Sequence, residues 1–593
     1  MFNVKEAPYN AAGVVGGNDT DEVKAAIDAA IAAGGGEVYF PAGTYPLVDW
    51  DPIELDAPLH FRGAAPGGVT IVGPGPQGTF GLIRAPLTVE GIRFEQFGTT
   101  LDGAGSGVVA GDVVIRDCVF AASSSALSWE LGGGTREEVR GLYISRCEFS
   151  GLTGGVVVGH VKADAVHFDD NRILDCKRYG LRLQAVEDPN NPLAAPGERK
   201  FVAVRNNYVR NLNGIGYAPG QDVARVVQVV AERLVVTGND VRGVTGGGGG
   251  GNANFVYQSS LHAYVAGNYL QDVGTPGDAT GGLIQEKSAL AISGRYIDNV
   301  FVQTPAAAGV APIQQPAIYI AGSGNVEIRG NDARGLHNSL VSAGFNTRNV
   351  VIAKNIVRDM RTNSAAILLY GGENVVIEGN VIDGVQSGAD TTSTNYPRGI
   401  RVERYAPTAG GVFAPINVRI SDNVVNAVRR TGTTTGMVEG AGIYVYMNGA
   451  TLASVSIVDN TVTDCDRGFV AVAANGGSVA DLEFSRNTLR GNTTAVVLSP
   501  ATVTFTARHN VGYPTESSGT ATVPTTPPTT AVTVPHGLAR APTVDGITVT
   551  LNGNIAPATR FWVDPVTTTT SFTVRFDVAP PAGTTFSWMA EIP

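Results

Sequence analysis

The chain has 593 residues, a formal net charge of −11, a pI near 5.2 and only 16% charged residues, while glycine reaches 76. That length exceeds one ordinary globular core, so several domains or a repeat architecture growing in one dimension is expected. The acidic balance argues against a nucleic-acid partner, which needs clustered Lys and Arg, and no stretch approaches the roughly 18 uninterrupted apolar residues of a membrane span. The four cysteines, Cys118, Cys147, Cys176 and Cys465, form no CxxC or Cys/His pattern. They read as buried thiols, with no disulfide framework, no metal site and no cofactor. The first residues, MFNVKEAPYN, lack a basic segment followed by an apolar core. No signal peptide is expected, and an extracellular protein of this kind would leave its cell by lysis or on a particle.

The first predicted elements lie in FNVKEAPYNAAGVVGGNDTDEVKAAIDAAIAAGGGEVYFPAGTYPL, residues 2–47. Val23, Ala26, Ile27, Ala30 and Ile31 recur at helical spacing. Asp19 and Glu22 have the spacing of a capping box, and Gly34–Gly36 supplies a helix stop. A strand is expected on each side of this helix.

A short phrase then recurs through most of the chain. It runs VVIRDCVF (113), LYISRCEF (142), VHFDDNRI (166), VAVRNNYV (202), LVVTGNDV (234), AYVAGNYL (263) and LAISGRYI (290). It continues VEIRGNDA (326), VVIAKNIV (350), VVIEGNVI (375), VRISDNVV (418), VSIVDNTV (455) and LEFSRNTL (482). The sixth position of each copy is Cys118, Cys147, Asn171, Asn207, Asn239, Asn268, Arg295, Asn331, Asn355, Asn380, Asn423, Asn460 or Asn487. Neither leucine-rich repeats nor propeller blades suit this pattern, because each needs more leucine or more strands per unit. A coil of two or three short strands fits, stacked so that equivalent strands pair in parallel. The amide sits at the corner between strands, where backbone groups need a partner that the sheets do not supply.

Repeats of this kind resemble the right-handed parallel β-helix of pectate lyases, polygalacturonases and phage tailspikes. The strand–helix–GGGxVxxPxGxY order of residues 2–47 resembles the N-terminal signature of that superfamily, although GGNDTDEV departs from its usual turn. The resemblance implies an all-β, single-stranded β-helix of about 13 coils whose open end is plugged by the N-terminal helix. The expected organisation is a cap over 1–50, the β-helix over 51–513, a Pro/Thr-rich linker over 514–530 and a small β-sandwich over 531–593. That last segment resembles the C-terminal β-domains of phage tail proteins, with a PHGL turn and an FWV…SFTV strand pair. His536 in that turn reads as a packing residue.

After each corner comes a second apolar strand, such as GLRLQ, RVVQVV, NFVYQ, GLIQE, AIYIA, AILLY, GIRVE, GIYVY and GFVAV. With Ile400 and Val402 inward, Arg401 and Glu403 point outward. The same reading puts Glu130, Arg182, Gln184, Gln228, Gln258, Glu286, Tyr319, Tyr370, Tyr444 and Tyr446 on the outer face. Ile284, Leu368 and Val470 join them as apolar positions suited to packing against another subunit. Planar amides, carboxylates and guanidiniums bond sugar hydroxyls, and phenol rings stack on sugar C–H faces. Long insertions at 185–200, 245–254, 386–397, 405–415 and 430–440 concentrate around the Arg401/Glu403 strand, so the site is expected there.

Glycoside hydrolysis needs two carboxylates. Glu403 is one candidate, with Glu286, Glu373, Asp390 or Glu439 as its partner. β-Elimination instead needs an acidic sugar, a base and a charge neutraliser, for which Arg401 or Arg398 with Tyr370 or Tyr444 would serve. The paired Asp and Gly-His-Gly set of polygalacturonases is absent from the sequence, and Asp169–Asp170 reads as turn chemistry. The expected catalytic residues are Glu403, Glu286 and Arg401. The expected substrate-binding residues are Arg182, Gln258, Tyr319, Tyr370, Arg398, Tyr444 and Tyr446. The resemblance implies a homotrimeric, extracellular, tailspike-like protein that binds and depolymerises a bacterial surface polysaccharide, with other tail proteins as further partners. A non-enzymatic receptor-binding or structural protein, or a free polysaccharide lyase or hydrolase, is the alternative.

Overall fold

A computed structural model describes residues 1–103, 107–129, 137–159, 161–183, 199–214, 216, 223–247, 252–277, 282–286, 291–305, 311–344, 347–362, 364–387, 397–405, 416–431, 440–449, 451–498, 503–525 and 529–592. They form two compact units, Met1–Val351 with Asn355–Arg361, and Ile352–Lys354 with Thr362–Pro593.

The first unit opens with strand Phe2–Asn3, helix Thr20–Ala32 and strand Gly36–Phe40, and the two strands pair in parallel. The helix buries Val23, Ala26, Ile27 and Ala30 of the stripe read from the sequence and leaves Ile31 half-buried. Asp19 is its N-cap residue, but its carboxylate accepts hydrogen bonds from the backbone N–H of Ala12 and Gly13 and makes no capping-box contact. The preceding loop competes for the same oxygens and holds them. At the other end, Gly34 and Gly35 have φ of +82° and +118°, and their N–H groups close on Ile31 and Ala30 carbonyls. A side chain at these angles would be strained.

The rest of this unit is a stack of coils. Strand Arg233–Thr237 is followed by a corner, strand Asp240–Thr245 and strand Ala253–Gln258. In the next coil the equivalents are His262–Ala266, Tyr269–Val273 and Ile284–Glu286, and each pairs in parallel with its predecessor. Three strands per coil account for the repeat length. Leu234, Val236, Val241, Val244 and Val256 all point into the coil and are buried. Full burial of each such side chain stabilises by about 1.5–3 kcal/mol.

The corner follows a rule of its own. The residue before each amide takes positive φ, as at Asp170 (+58°), Asn206 (+54°) and Gly238 (+68°). This favours Gly, Asn and Asp there and explains Asp170 as turn chemistry. The amides then bond along the stack. Asn207 Nδ2 donates to Asn239 Oδ1 at 2.9 Å and to the Phe168 carbonyl at 2.8 Å. Asn239, Asn268, Asn299, Asn331 and Asn355 continue the series. The rung expected at Arg295 is therefore Asn299. SGRYIDNV offers two frames four residues apart, and the positive φ of Asp298 selects the second. Arg295 instead faces solvent and pairs with Glu327 at 2.8 Å. Cys118 and Cys147 occupy rungs as buried free thiols, and the Cys147 N–H donates to Asn171 Oδ1 at 3.0 Å. Cys176 and Cys465 are likewise buried and free.

The second unit repeats the design. Asn380, Asn423, Asn460 and Asn487 form its ladder, which ends on a further rung, Asn510, at 3.1 Å. After the coils come two three-stranded antiparallel sheets. One holds Glu516–Thr522, Thr585–Glu591 and Ile547–Leu551, and the other holds Ala531–Pro535, Ser571–Phe576 and Phe561–Val563. Val534, Phe572, Val574, Phe586 and Trp588 share one core in this sandwich. Strand Glu516–Thr522 lies in the stretch read as a linker, because its Ser/Thr alternation hid a pairing partner near the C-terminus. His536 accepts the Leu538 N–H through Nδ1 and lies 3.0 Å from the Thr568 carbonyl, as a turn-packing residue. No helix among the described residues is long and apolar enough to cross a membrane.

Candidate functional site

In the second unit, register fixes which side chains share a face. Ile367, Ile400, Ile443 and Phe469 align in one column, and Leu369, Val402, Val445 and Ala471 in another. All are buried inside the coil. Between them run Leu368, Arg401, Tyr444 and Val470, which period-two geometry places on the opposite side of the sheet. Glu403, Tyr446 and Val472 form the next outward column. The outward reading of Arg401, Glu403, Tyr444 and Tyr446 is therefore correct.

These residues touch one another. The Arg401 guanidinium is hydrogen-bonded to Glu403, whose side chain is only 1% exposed. Tyr444 and Tyr446 stack with ring centroids 6.0 Å apart and planes 20° apart. The Arg398 guanidinium lies over the Tyr444 ring, 4.3 Å from its centroid, and donates to the Pro397 carbonyl. Burial pulls the Arg398 pKa down to about 10, against the opposing influence of Tyr444. Burial also pushes the Tyr444 phenol up, while Arg398 and Arg401 pull it back. The result is a half-buried aromatic platform flanked by two guanidiniums and one carboxylate. Tyr370 lies just past the neighbouring strand Ala365–Leu369 and is half-buried.

Leu368 and Val470 do face outward, yet both are buried within the chain itself. They supply no free surface for another subunit. Glu373 begins strand Glu373–Glu378 in the other sheet and is half-buried. Asp390 and Glu439 lie outside the described residues, as do Glu130, Gln184 and most of the long insertions.

The first unit corrects the sequence reading. Its register aligns Val227, Val256, Ile284 and Ile318, then Gln228, Tyr257, Gln285 and Tyr319, then Val229, Gln258, Glu286 and Ile320. The first and third columns face the interior. Gln258, Glu286 and Ile284 therefore point inward, and Tyr257 and Gln285 point outward. In NFVYQ and GLIQE both alternations contain a large apolar residue, so parity is ambiguous and a one-residue slip inverts the faces. Glu286 is fully buried and accepts hydrogen bonds from Tyr296 Oη at 2.7 Å and Gln258 Nε2 at 3.4 Å. It is unavailable to a groove on the outer face.

Arg182 and Tyr319 keep their outward positions, with Arg182 4.8 Å from the Tyr179 ring centroid. Sequence reasoning missed Arg225, which stacks at 4.0 Å on Tyr257 and donates to Asn254 and Gln228. Its signal was the Arg that opens RVVQVV, placed like the Arg that opens RGIRVE.

A family model described as "Right handed beta helix region" matches residues 282–494. Mannuronan C5-epimerase AlgE2 of Azotobacter vinelandii is 36% identical over 109 residues, 17% of this chain and 11% of the relative. The chain thus aligns with only a small part of such relatives. Among solved structures, the A-module of the Azotobacter vinelandii epimerase AlgE6 is 14% identical, with 87% of this chain and 100% of that one covered and a TM-score of 0.28. A tailspike of E. coli bacteriophage HK620, solved with a pentasaccharide, is 14% identical over 97% of this chain and 90% of that one, with a TM-score of 0.36. Scores of this size support no functional argument. Parallel three-strand coils, asparagine rungs at their corners and the matching family model make this chain a right-handed parallel β-helix protein.

Proposed function

We propose that this protein binds an acidic bacterial surface polysaccharide on the outer face of the second unit and depolymerises it, in the manner of a tailspike. The observation that supports the reading is the contact set of Arg398, Tyr444, Tyr446, Arg401 and Glu403. A stacked phenol pair offers a flat surface to sugar C–H groups. Two guanidiniums beside it neutralise a uronate carboxylate and so acidify the proton at the neighbouring carbon. The short identity with mannuronan C5-epimerases agrees with an acidic sugar.

β-Elimination suits these residues better than hydrolysis. Among the described residues Glu403 is the only carboxylate in the outward columns, and it is tied to Arg401; Glu286, its expected partner, faces inward. In the proposed roles, Arg401 held by Glu403 neutralises the sugar carboxylate. Arg398 adds its charge to that of Arg401, and the Tyr444 oxygen takes the proton of the neighbouring carbon as its own hydroxyl proton passes to the leaving oxygen. The Arg401–Glu403 bond also favours a second reading, in which the site binds without cleaving. Incubation with acidic capsular polysaccharides separates the two. Cleavage by elimination yields new reducing ends together with ultraviolet absorbance from an unsaturated uronate. Binding with neither product supports the second reading.

A further inference from the structure

Three of the four tryptophans are buried: Trp50 at 5%, Trp129 at 0% and Trp588 at 8% exposure. Trp562 is 45% exposed, on the edge strand Phe561–Val563 of the C-terminal sandwich. Trp562 is thus the one indole of the chain presented to solvent. Its surroundings indicate what it can bind. Register sets Trp562 directly opposite Arg575, while the flanking pairs Phe561–Phe576 and Val563–Val574 turn into the core. Trp562 and Arg575 therefore share the outer face, with side chains about 5 Å apart at Cβ. Asp564, two residues on, is on the same face and accepts a hydrogen bond from Arg575 Nε at 2.6 Å. Thr573 and Thr533, opposite each other on the same face, extend it with hydroxyls.

We infer that this face is a second carbohydrate-binding site, with Trp562 as the stacking platform and Arg575 and Asp564 as the hydrogen-bonding pair for the hydroxyls of a neutral sugar. The charges select that class. Arg575 and Asp564 cancel each other, so the face offers fixed donors and acceptors without a net field. An acidic sugar gains nothing here, in contrast to the face holding Arg398 and Arg401. Fixing Arg575 with Asp564 before the ligand arrives also lowers the ordering cost of binding. Phe561–Val563 is the edge strand of its sheet, which suits one or two sugar units within a chain rather than an enclosed monosaccharide. The site stands apart from the proposed cleavage chemistry and does not depend on it.

Tryptophan fluorescence tests this directly, because Trp562 is the one indole open to a soluble quencher. The full-length protein is titrated with dextran, laminarin and neutral O-antigen polysaccharides, and acrylamide quenching is followed. A bound glycan should shield Trp562. Trp562→Ala should weaken binding about tenfold, the worth of one aromatic platform, and Trp562→Phe should recover part of it. Cleavage of an acidic polysaccharide by Trp562→Ala should stay at the wild-type rate. Unchanged glycan affinity in Trp562→Ala, or no shielding by any of these polysaccharides, overturns the assignment. Shielding that rises with protein concentration alone, and a lower mass in sedimentation for Trp562→Ala, overturns it too and makes the face a contact between copies. An inactive Arg398→Ala variant that still shields Trp562 leaves this site standing.

Discussion

Tyr296 donates its hydroxyl hydrogen to Glu286 Oε2 at 2.7 Å inside the coil of the first unit, and Gln258 Nε2 approaches the same phenol oxygen at 3.1 Å. Burial pushes the Glu286 pKa from 4.5 up to about 7, although both neighbours pull it down. The folded state therefore holds a proton that the unfolded chain has lost. A raised pKa contributes stability that is complete below about 4.5 and disappears as pH rises through about 7. Glu286→Gln removes the charge and keeps the shape. Above neutral pH the variant should be more stable than wild type, by on the order of 3 kcal/mol, and below pH 4.5 the two should converge. Thermal unfolding across this range checks it; parallel profiles would show that Glu286 binds its proton equally in the folded and unfolded chain.

Asn423 is a structural rung. Its Nδ2 serves the Ile377 and Ser421 carbonyls and Asn460 Oδ1, while its Oδ1 accepts from the Asn380 N–H and Nδ2. Asn423→Ala leaves several buried backbone and amide groups without partners, each worth about 1–3 kcal/mol. A loss of about 3 kcal/mol or more is expected in urea unfolding. Asn426→Ala, at a half-buried position outside the ladder, removes a bond to Asp383 and one from Thr463 and should cost only about 1 kcal/mol.

The coil was legible in the sequence because apolar alternation and a corner amide recur together, and neither alone is specific. What the pattern leaves open is frame and parity. SGRYIDNV admits Arg295 or Asn299 as the rung, and only the backbone at Asp298 decides. GIRVER has one apolar alternation, so Arg401 and Glu403 were placed correctly. NFVYQ and GLIQE have two, so Gln258 and Glu286 were placed on the wrong face. Packing settles such cases, because the buried column is set by neighbouring coils and not by the strand itself. The stacking of Arg398 on Tyr444 was equally hidden, since those residues are joined only by the lateral register of two strands.

Arg398→Lys tests that stack. Lysine keeps the charge but loses the planar surface over Tyr444 and the fixed fork of donors. Affinity for an acidic polysaccharide should fall about tenfold, with a further loss in Arg398→Ala. Isothermal titration with size-defined oligouronates measures both. Equal affinity in wild type and Arg398→Lys would reduce Arg398 to a point charge.

Tyr444→Phe separates stacking from proton donation. The ring and its contact with Tyr446 survive, but the phenol is lost. Turnover should fall about 100-fold or more with little change in KM. A rise in KM alone would make Tyr444 a binding residue.

The most direct measurement follows product formation from an acidic capsular polysaccharide by wild type, Arg401→Ala and Glu403→Gln, with circular dichroism confirming the fold of each. Wild type should produce new reducing ends and unsaturated-uronate absorbance together. Arg401→Ala should lose both, and Glu403→Gln should be markedly slower because Arg401 is no longer held. Wild-type rates in both variants would contradict a site on this face.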